Sequence, residues 1–404
     1  MSNFPFLILL VGVCIVIIIF IKSILTRMRI PAIVGLILLG MLLRSSDIYL
    51  KFLSDEAWEI FKFLANIGII TLLFRIGLES NLRGLIQKLR QASVVWISGV
   101  LFSGTLGFLT SYFILEMELI PSLFIAIALT ATSVGISVEI WHEAHVLKSP
   151  NGELLVDAAE LDDISGVILM SLLFSIVPVL RTGQNAALLF VVSKAIGLLL
   201  LKLIILSVCC ILFSIYLERR ITQFFQKLLS TPVPILIVVG IGFIIAALAG
   251  LLGFSVAIGA FFAGVVFSRD PESVKIDASF ETLYEFFSPF FFIGIGLSIE
   301  PNLLTAALLP GGILVVAAIL GKVIGHGIPI LLMEGWMSAI LLGFSMIPRA
   351  EIAMIIMQYG LNLGKWAVPP QAFNAMVVVS AATCILSPLI VRSLFIKVKT
   401  TPDT

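Results

Sequence analysis

Residues 152–175 read GELLVDAAELDDISGVILMSLLFS, from Gly152 to Ser175, an apolar run with five acids in it. A helix that crosses a bilayer needs about 20 mostly apolar residues, and this stretch qualifies. Asp162 and Asp163 lie about eleven residues into it. An ionisable side chain at bilayer depth costs on the order of 2.5–3.5 kcal/mol or more unless it is paired or wetted, so it marks a functional candidate. Glu153, Asp157, Glu160 and Asp163 are spaced by four, three and three residues and share one helix face. They read as an acidic funnel leading cations from the inner side to Asp163, or as acids paired with basic residues elsewhere in the bundle.

The rest of the chain has the same character. Of 404 residues, 60% are hydrophobic and only 12% charged, against near half and a quarter in soluble domains. That excludes a soluble globular enzyme. A net charge of +1 excludes the concentrated basic face of a nucleic-acid partner. Cys14, Cys209, Cys210 and Cys384 sit in apolar runs without ligand spacing and read as small hydrophobes, not disulfides. No cofactor is called for.

Cutting at charged and Pro/Gly-rich breaks yields thirteen spans: 4–24, 31–46, 57–78, 91–115, 120–140, 152–175, 185–216, 232–249, 254–268, 282–299, 303–333, 337–358 and 370–395. The first lacks a basic n-region and a cleavage site, so it reads as a span. With the N-terminus outside, the inner loops hold fifteen cations: Lys22, Arg27, Arg29, Arg83, Lys88, Arg90, Lys148, Arg219, Arg220, Lys227, Arg269, Lys275, Arg392, Lys397 and Lys399. The outer loops hold four, Arg44, Lys51, Arg181 and Lys365. The expected topology is N-terminus outside, C-terminus cytoplasmic. No soluble regulatory domain is expected after residue 395.

The two halves resemble each other. Pro31-AIV-Gly35-LILL-Gly40 matches Ser255-VAI-Gly259-AFFA-Gly264 at an offset of 224, and Gly77-Leu78 matches Gly296-Leu297. Thr132-Ser133 falls opposite Pro348-Arg349, and Ser165 opposite Ser387. Matched spans are seven crossings apart, an odd number, so the second copy is inverted. Two inverted six-helix units joined by a long linking helix form a transporter architecture, with the substrate site near the midplane where interrupted helices meet.

The intramembrane charges converge on that depth. Lys322 lies in Leu320-GKVIGHG, Arg349 and Glu351 in Gly343-FSMIPRAE, and the hydroxyls of Thr130-ATSV-Gly135 lie midway along span five. Adjacent carboxylates point roughly 100° apart on a helix, which suggests one acid paired with Lys322 and the other facing a cation. Thr132 and Ser133, in a stretch that Gly135 helps to unwind, offer oxygen ligands. Pro348 should break its helix, leaving half-helix ends that Arg349 and Glu351 neutralise. Plainer readings stand beside these: a structural Lys322–Asp162 pair, Arg349 and Glu351 holding the broken helix together, and hydroxyls gluing helices. Arg75 reads as snorkelling or pairing with Glu79, and Lys194 and Lys202 as anchors. His326 reads as a packing residue or a pH sensor.

Through TATSVGISVE (Thr130 to Glu139), AAELDDISG (Ala158 to Gly166), GKVIG (Gly321 to Gly325) and MIPRAEIA (Met346 to Ala353), the chain resembles the monovalent cation:proton antiporter-2 family. That family comprises bacterial Na+/H+ antiporters and the membrane parts of Kef-type potassium systems. The resemblance implies an all-α fold of the Na+/H+ antiporter type, about thirteen helices in two inverted repeats with two broken crossing helices, working as a homodimer. It implies dimerisation segments at 1–90 and 231–302, core segments at 91–176 and 303–396, a linking helix within 177–230 and a tail at 397–404. It makes Asp163 the ion- and proton-carrying carboxylate and pairs Asp162 with Lys322 in the sodium-free state. With Thr132 these are the residues expected to meet Na+. Relatives with asparagine at the position of Asp162 are electroneutral, so an aspartate there implies electrogenic exchange. Asp157 and Glu160 replace small or apolar residues of the family, and Ala350 replaces the glycine usual before Glu351.

The expected function is therefore exchange of Na+ or Li+, or of K+, for protons in a cell membrane by alternating access, and not an enzymatic one. A proton-gated cation channel or K+ efflux system is the alternative, and a sodium-coupled organic-solute symporter a weaker one. An intramembrane aspartyl protease would need its two aspartates on separate helices.

Overall fold

The computed structural model describes residues 4–400 apart from 29, 52, 80–81, 182–187, 214–215, 217–219, 221–233, 253, 255 and 269–272. Arg29, Arg219, Lys227 and Arg269, among the cations used to orient the chain, lie outside the described residues. The described secondary structure is helical throughout. In lipid a spanning backbone must satisfy its own hydrogen bonds, and a helix of apolar residues does so.

In chain order the helices are α1 (Phe4–Arg27), α2 (Ala32–Leu50), α3 (Asp55–Glu79), α4 (Leu82–Leu109), α5 (Leu119–Ala128), α6 (Val134–Glu143), α7 (Pro150–Arg181) and α8 (Leu188–Leu212). They continue with α9 (Pro234–Leu251), α10 (Val256–Phe267), α11 (Ser273–Ser298), α12 (Leu304–Glu334), α13 (Trp336–Ser345), α14 (Glu351–Leu363) and α15 (Pro370–Thr400). Among the described residues, seven are long and apolar enough to cross a membrane, and four shorter ones are also apolar. The chain is a multi-pass membrane protein. Several helices overrun the apolar spans that announced them. Because α4 begins at Leu82, Arg83, Lys88 and Arg90 stand on its first turns and not in a loop; α11 takes in Lys275 and α15 takes in Lys397 and Lys399 in the same way.

The chain falls into two compact units, one of residues 1–53, 85–170 and 295–404, the other of 54–84 and 171–294. In the second unit α3 lies against α10. A Cβ built on Gly264 would stand 2.8 Å from the amide of Leu78 and 3.0 Å from the carbonyl carbon of Gly77. Only glycine lets these backbones meet, the small-residue contact common between membrane helices. Arg75 of this unit reaches Glu281 of α11 at 2.8 Å and lies 4.2 Å over the Tyr284 ring; the side chain of Glu79, its expected partner, lies outside the described residues. Lys202 donates to the carbonyl of Leu252 at 2.9 Å, which ties its helix to the end of α9.

In the first unit α12 packs along α15 and α13, and α5 along α14. A Cβ on Gly296 would stand 2.7 Å from the Cα of Gly40, a close approach of the same kind. Helices α4 and α12 also meet through small residues: a Cβ on Gly321 would stand 2.8 Å from the Cα of Ser103, and one on Gly325 2.9 Å from the Cα of Gly99. This contact seats Lys322, between those glycines, in the interior. Lys322 and Arg349 are among the largest fully buried side chains, an unusual place for cations.

Candidate ion-binding site

Two interruptions build the site. Helix α5 ends at Ala128 and α6 resumes at Val134; α13 ends at Ser345 and α14 resumes at Glu351. The second break holds Pro348, which lacks the amide a continuous helix would use. The breaks cross, and the amide of Ser133 donates to the carbonyl of Pro348 at 2.8 Å.

Helix α7 presents the paired aspartates beside this crossing. Oδ2 of Asp162 accepts from Thr132 Oγ1 at 2.6 Å and from Lys322 Nζ at 2.5 Å, with both ion-pair partners fully buried. Lys322 also donates to the Thr130 carbonyl at 2.7 Å, a group the first break frees. Such a pair holds because each charge would otherwise stand uncompensated in a dry interior. The second carboxylate differs. Asp163 is 8% exposed, and among the described residues none gives it a hydrogen bond or a salt bridge. Neighbours in sequence, the two acids have different surroundings: one is held through Oδ2 by an ammonium and a hydroxyl, and the other has no such partner among the described residues. Oδ1 of Asp162 and Oγ of Ser133 are buried with no hydrogen-bond partner, so unpartnered oxygens gather about the crossing.

Arg349 serves the second break. Its Nη1 donates to the carbonyls of Met346, Ile347 and Pro348 at 3.0, 2.8 and 3.3 Å. Its amide donates to Thr383 Oγ1 at 3.1 Å. A fixed cation thus answers the carbonyls leaving α13, while Glu351 stands in the first turn of α14, each at the helix end whose dipole it offsets. Further bracing was not singled out from sequence. Trp141 Nε1 donates to Ser345 Oγ at 2.8 Å, Ser137 Oγ donates to the Ser345 carbonyl, and Ser387 Oγ to the Phe344 carbonyl at 2.9 Å. Trp96 Nε1 donates to Ser165 Oγ, which donates on to the Asp162 carbonyl. The only sequence signal for these was the repeat match of Ser165 with Ser387, which falls beside both working segments.

The acidic face of α7 grades from water to interior: Glu153 is exposed, Asp157 and Glu160 are half-buried and Asp163 is buried. His326, one turn beyond Lys322, is fully buried, with Nε2 3.6 Å from Asp162 Oδ2.

Membrane proteins tolerate non-helical backbone at depth where it lines a site, and secondary transporters use paired broken helices in this way. That is the class the crossing and its buried charges define. Comparison with known proteins supplies the family. The model described as "Sodium/hydrogen exchanger, transmembrane" matches residues 13–397, and the chain belongs to that family. It is 30% identical over 371 residues to a Na(+)/H(+) antiporter of Enterococcus hirae, covering 91% of this chain and 92% of that protein. It is 29% identical over 353 residues to the high-affinity Na(+)/H(+) antiporter NhaS3 of a Synechocystis strain, covering 83% and 72%. The solved structure of the sodium proton antiporter MjNhaP1 from Methanocaldococcus jannaschii at pH 8 superposes with a TM-score of 0.73 over 99% of this chain and 100% of that one, at 15% identity. At that identity the likeness is one of fold.

Proposed function

We propose that the chain is a cation:proton antiporter that moves Na+ or Li+, with K+ as the alternative cargo, against protons by alternating access. Asp163 carries the cation in one direction and the proton in the other. The contrast between the two aspartates supports this most: Oδ2 of Asp162 is held by Lys322 and Thr132, while the open carboxylate of Asp163 lies next to it. A proton and a cation compete for that one charge. The unpartnered oxygens of Asp162 and Ser133, with Thr132, complete an oxygen set suited to a hard cation.

In this reading the arriving cation displaces Lys322 from Asp162, which couples a second charge to the cycle and makes exchange electrogenic. Glu160, Asp157 and Glu153 form the cytoplasmic approach, while Arg349 and Glu351 hold the second break open. The chain crosses a cell membrane thirteen times, N-terminus outside, as a homodimer whose 1–90 and 231–302 segments form the dimerisation domain. Core segments 91–176 and 303–396 carry the ion. Two close contacts support the inverted repeat. Gly77 meets Gly264 in one unit, Gly296 meets Gly40 in the other, and the repeat exchanges these pairs.

The test is proton flux in proteoliposomes driven by a Na+ gradient. Asp163→Asn should abolish it, and retained coupled flux in that variant would overturn the assignment.

A further inference from the structure

His326 follows Lys322 by one helical turn on α12, so both side chains lie on one face. Its ring is fully buried and held from two sides. A Cβ built on Gly99 of α4 would overlap the ring, so only glycine leaves it room. Its Nδ1 lies 3.3 Å from the carbonyl of Lys322. A carbonyl only accepts, so the neutral tautomer that makes this bond carries its hydrogen on Nδ1 and leaves a bare lone pair on Nε2. Nε2 has no hydrogen-bond partner. It stands 3.6 Å from Asp162 Oδ2, outside hydrogen-bond reach. The same oxygen holds the Lys322 ammonium at 2.5 Å.

An unpartnered buried acceptor thus sits beside a buried ammonium that, in the antiport reading on which this inference rests, must leave its carboxylate when the cation arrives. An ammonium without acceptors in a dry interior is strongly disfavoured. The Thr130 carbonyl keeps one of its hydrogens at 2.7 Å, and another needs a new partner. We propose that His326 Nε2 is the acceptor that receives the Lys322 ammonium when the cation displaces it from Asp162. His326 is then a positioning residue: it touches no cargo, but it sets how readily Lys322 yields and so the apparent affinity for cation.

The experiment compares His326→Leu, which has no acceptor, with His326→Gln, whose amide oxygen can replace Nε2, in proteoliposomes and by Na+-dependent thermal stabilisation of the purified full chain. His326→Leu should raise the Na+ KM about tenfold with kcat within about twofold, and weaken Na+ stabilisation equally. His326→Gln should restore both. In a Lys322→Ala background the His326→Leu change should add nothing, because no ammonium remains to be received. If His326→Leu does not fold, His326→Met, as long as Gln but without its amide, takes its place. An unchanged KM, an equal shift in the Lys322→Ala background, or a Gln variant as impaired as the Leu one would each overturn the proposal. Wild-type exchange measured in the same vesicles separates the two readings: its absence sinks the antiport assignment, whereas normal wild-type exchange with an unmoved KM sinks only the role of His326.

Discussion

The amide of Ser133 donates to the carbonyl of Pro348 at 2.8 Å, joining two interruptions that lie more than two hundred residues apart in the chain. Each break exposes backbone groups that lipid cannot satisfy, and here one supplies the donor and the other the acceptor. Matching of the two halves had set Thr132-Ser133 against Pro348-Arg349.

Pro348→Ala tests whether the break must be enforced. Alanine restores the missing amide and favours helix by about 3 kcal/mol over proline, enough to draw residues 346–350 into continuous helix. The carbonyls that Arg349 now binds would then be spent within the helix. Na+-driven proton flux per folded protein should fall about tenfold or more, and flux equal to wild type would show that the break persists without proline.

The features legible in the sequence were those written in local chemistry. A proline in an apolar run announced the second break, a Thr-Ala-Thr-Ser string the first, and a lysine at the depth of two aspartates the ion pair. What escaped depends on which groups meet across the bundle. Arg349 was legible as a charge at the half-helix ends, but its acceptors were not: its Nη1 meets three carbonyls that become free only because α13 stops at Ser345. Arg75 reaches Glu281, which comes from α11, a partner that no spacing along its own helix names. Trp141 looked like any apolar residue until Ser345 was found at its indole nitrogen. No spacing rule contains such partners, because each requires the tertiary fold to exist first.

Removing Lys322 should be costly in a diagnostic way. Lys322→Ala leaves the Asp162 carboxylate buried with Thr132 as its remaining strong donor, and breaking a buried pair from one side costs about 3–5 kcal/mol. Thermal inactivation in detergent should move markedly downward. Adding Asp162→Asn removes the stranded charge and should recover most of the loss. Exchange by the double variant should no longer respond to clamped voltage, and undiminished voltage dependence would count against a charge-coupling role for the pair.

Arg349→Lys preserves charge but not shape. A guanidinium spreads its donors over a planar fork, whereas an ammonium is a compact point charge. The lysine variant should lose about half of the thermal shift seen for Arg349→Ala, which itself should cost about 3 kcal/mol or more through stranded carbonyls. A lysine variant as stable as wild type would reduce Arg349 to a simple charge.

The acidic approach on α7 is an electrostatic proposal and should behave as one. Asp157→Asn with Glu160→Gln should raise the KM for internal cation about threefold at low ionic strength, and the difference should shrink in high salt as screening shortens its reach. Affinity unchanged at low salt would mean that these half-buried acids serve structure alone.

The glycine contacts carry the most direct stability test. A Cβ on Gly264 would stand 2.8 Å from the Leu78 amide, and one on Gly296 2.7 Å from the Cα of Gly40. In both cases the obstacle is backbone, which cannot rotate away. Gly264→Leu and Gly296→Leu should therefore force helices apart and lower thermal stability by more than leucine at Gly240, where a Cβ meets nothing within 4 Å. If these contacts are equivalent under the inverted repeat, the two variants should lose stability by amounts alike to within about 1 kcal/mol. A large loss at Gly264 with none at Gly296 would argue that only one of the two contacts is a packing constraint.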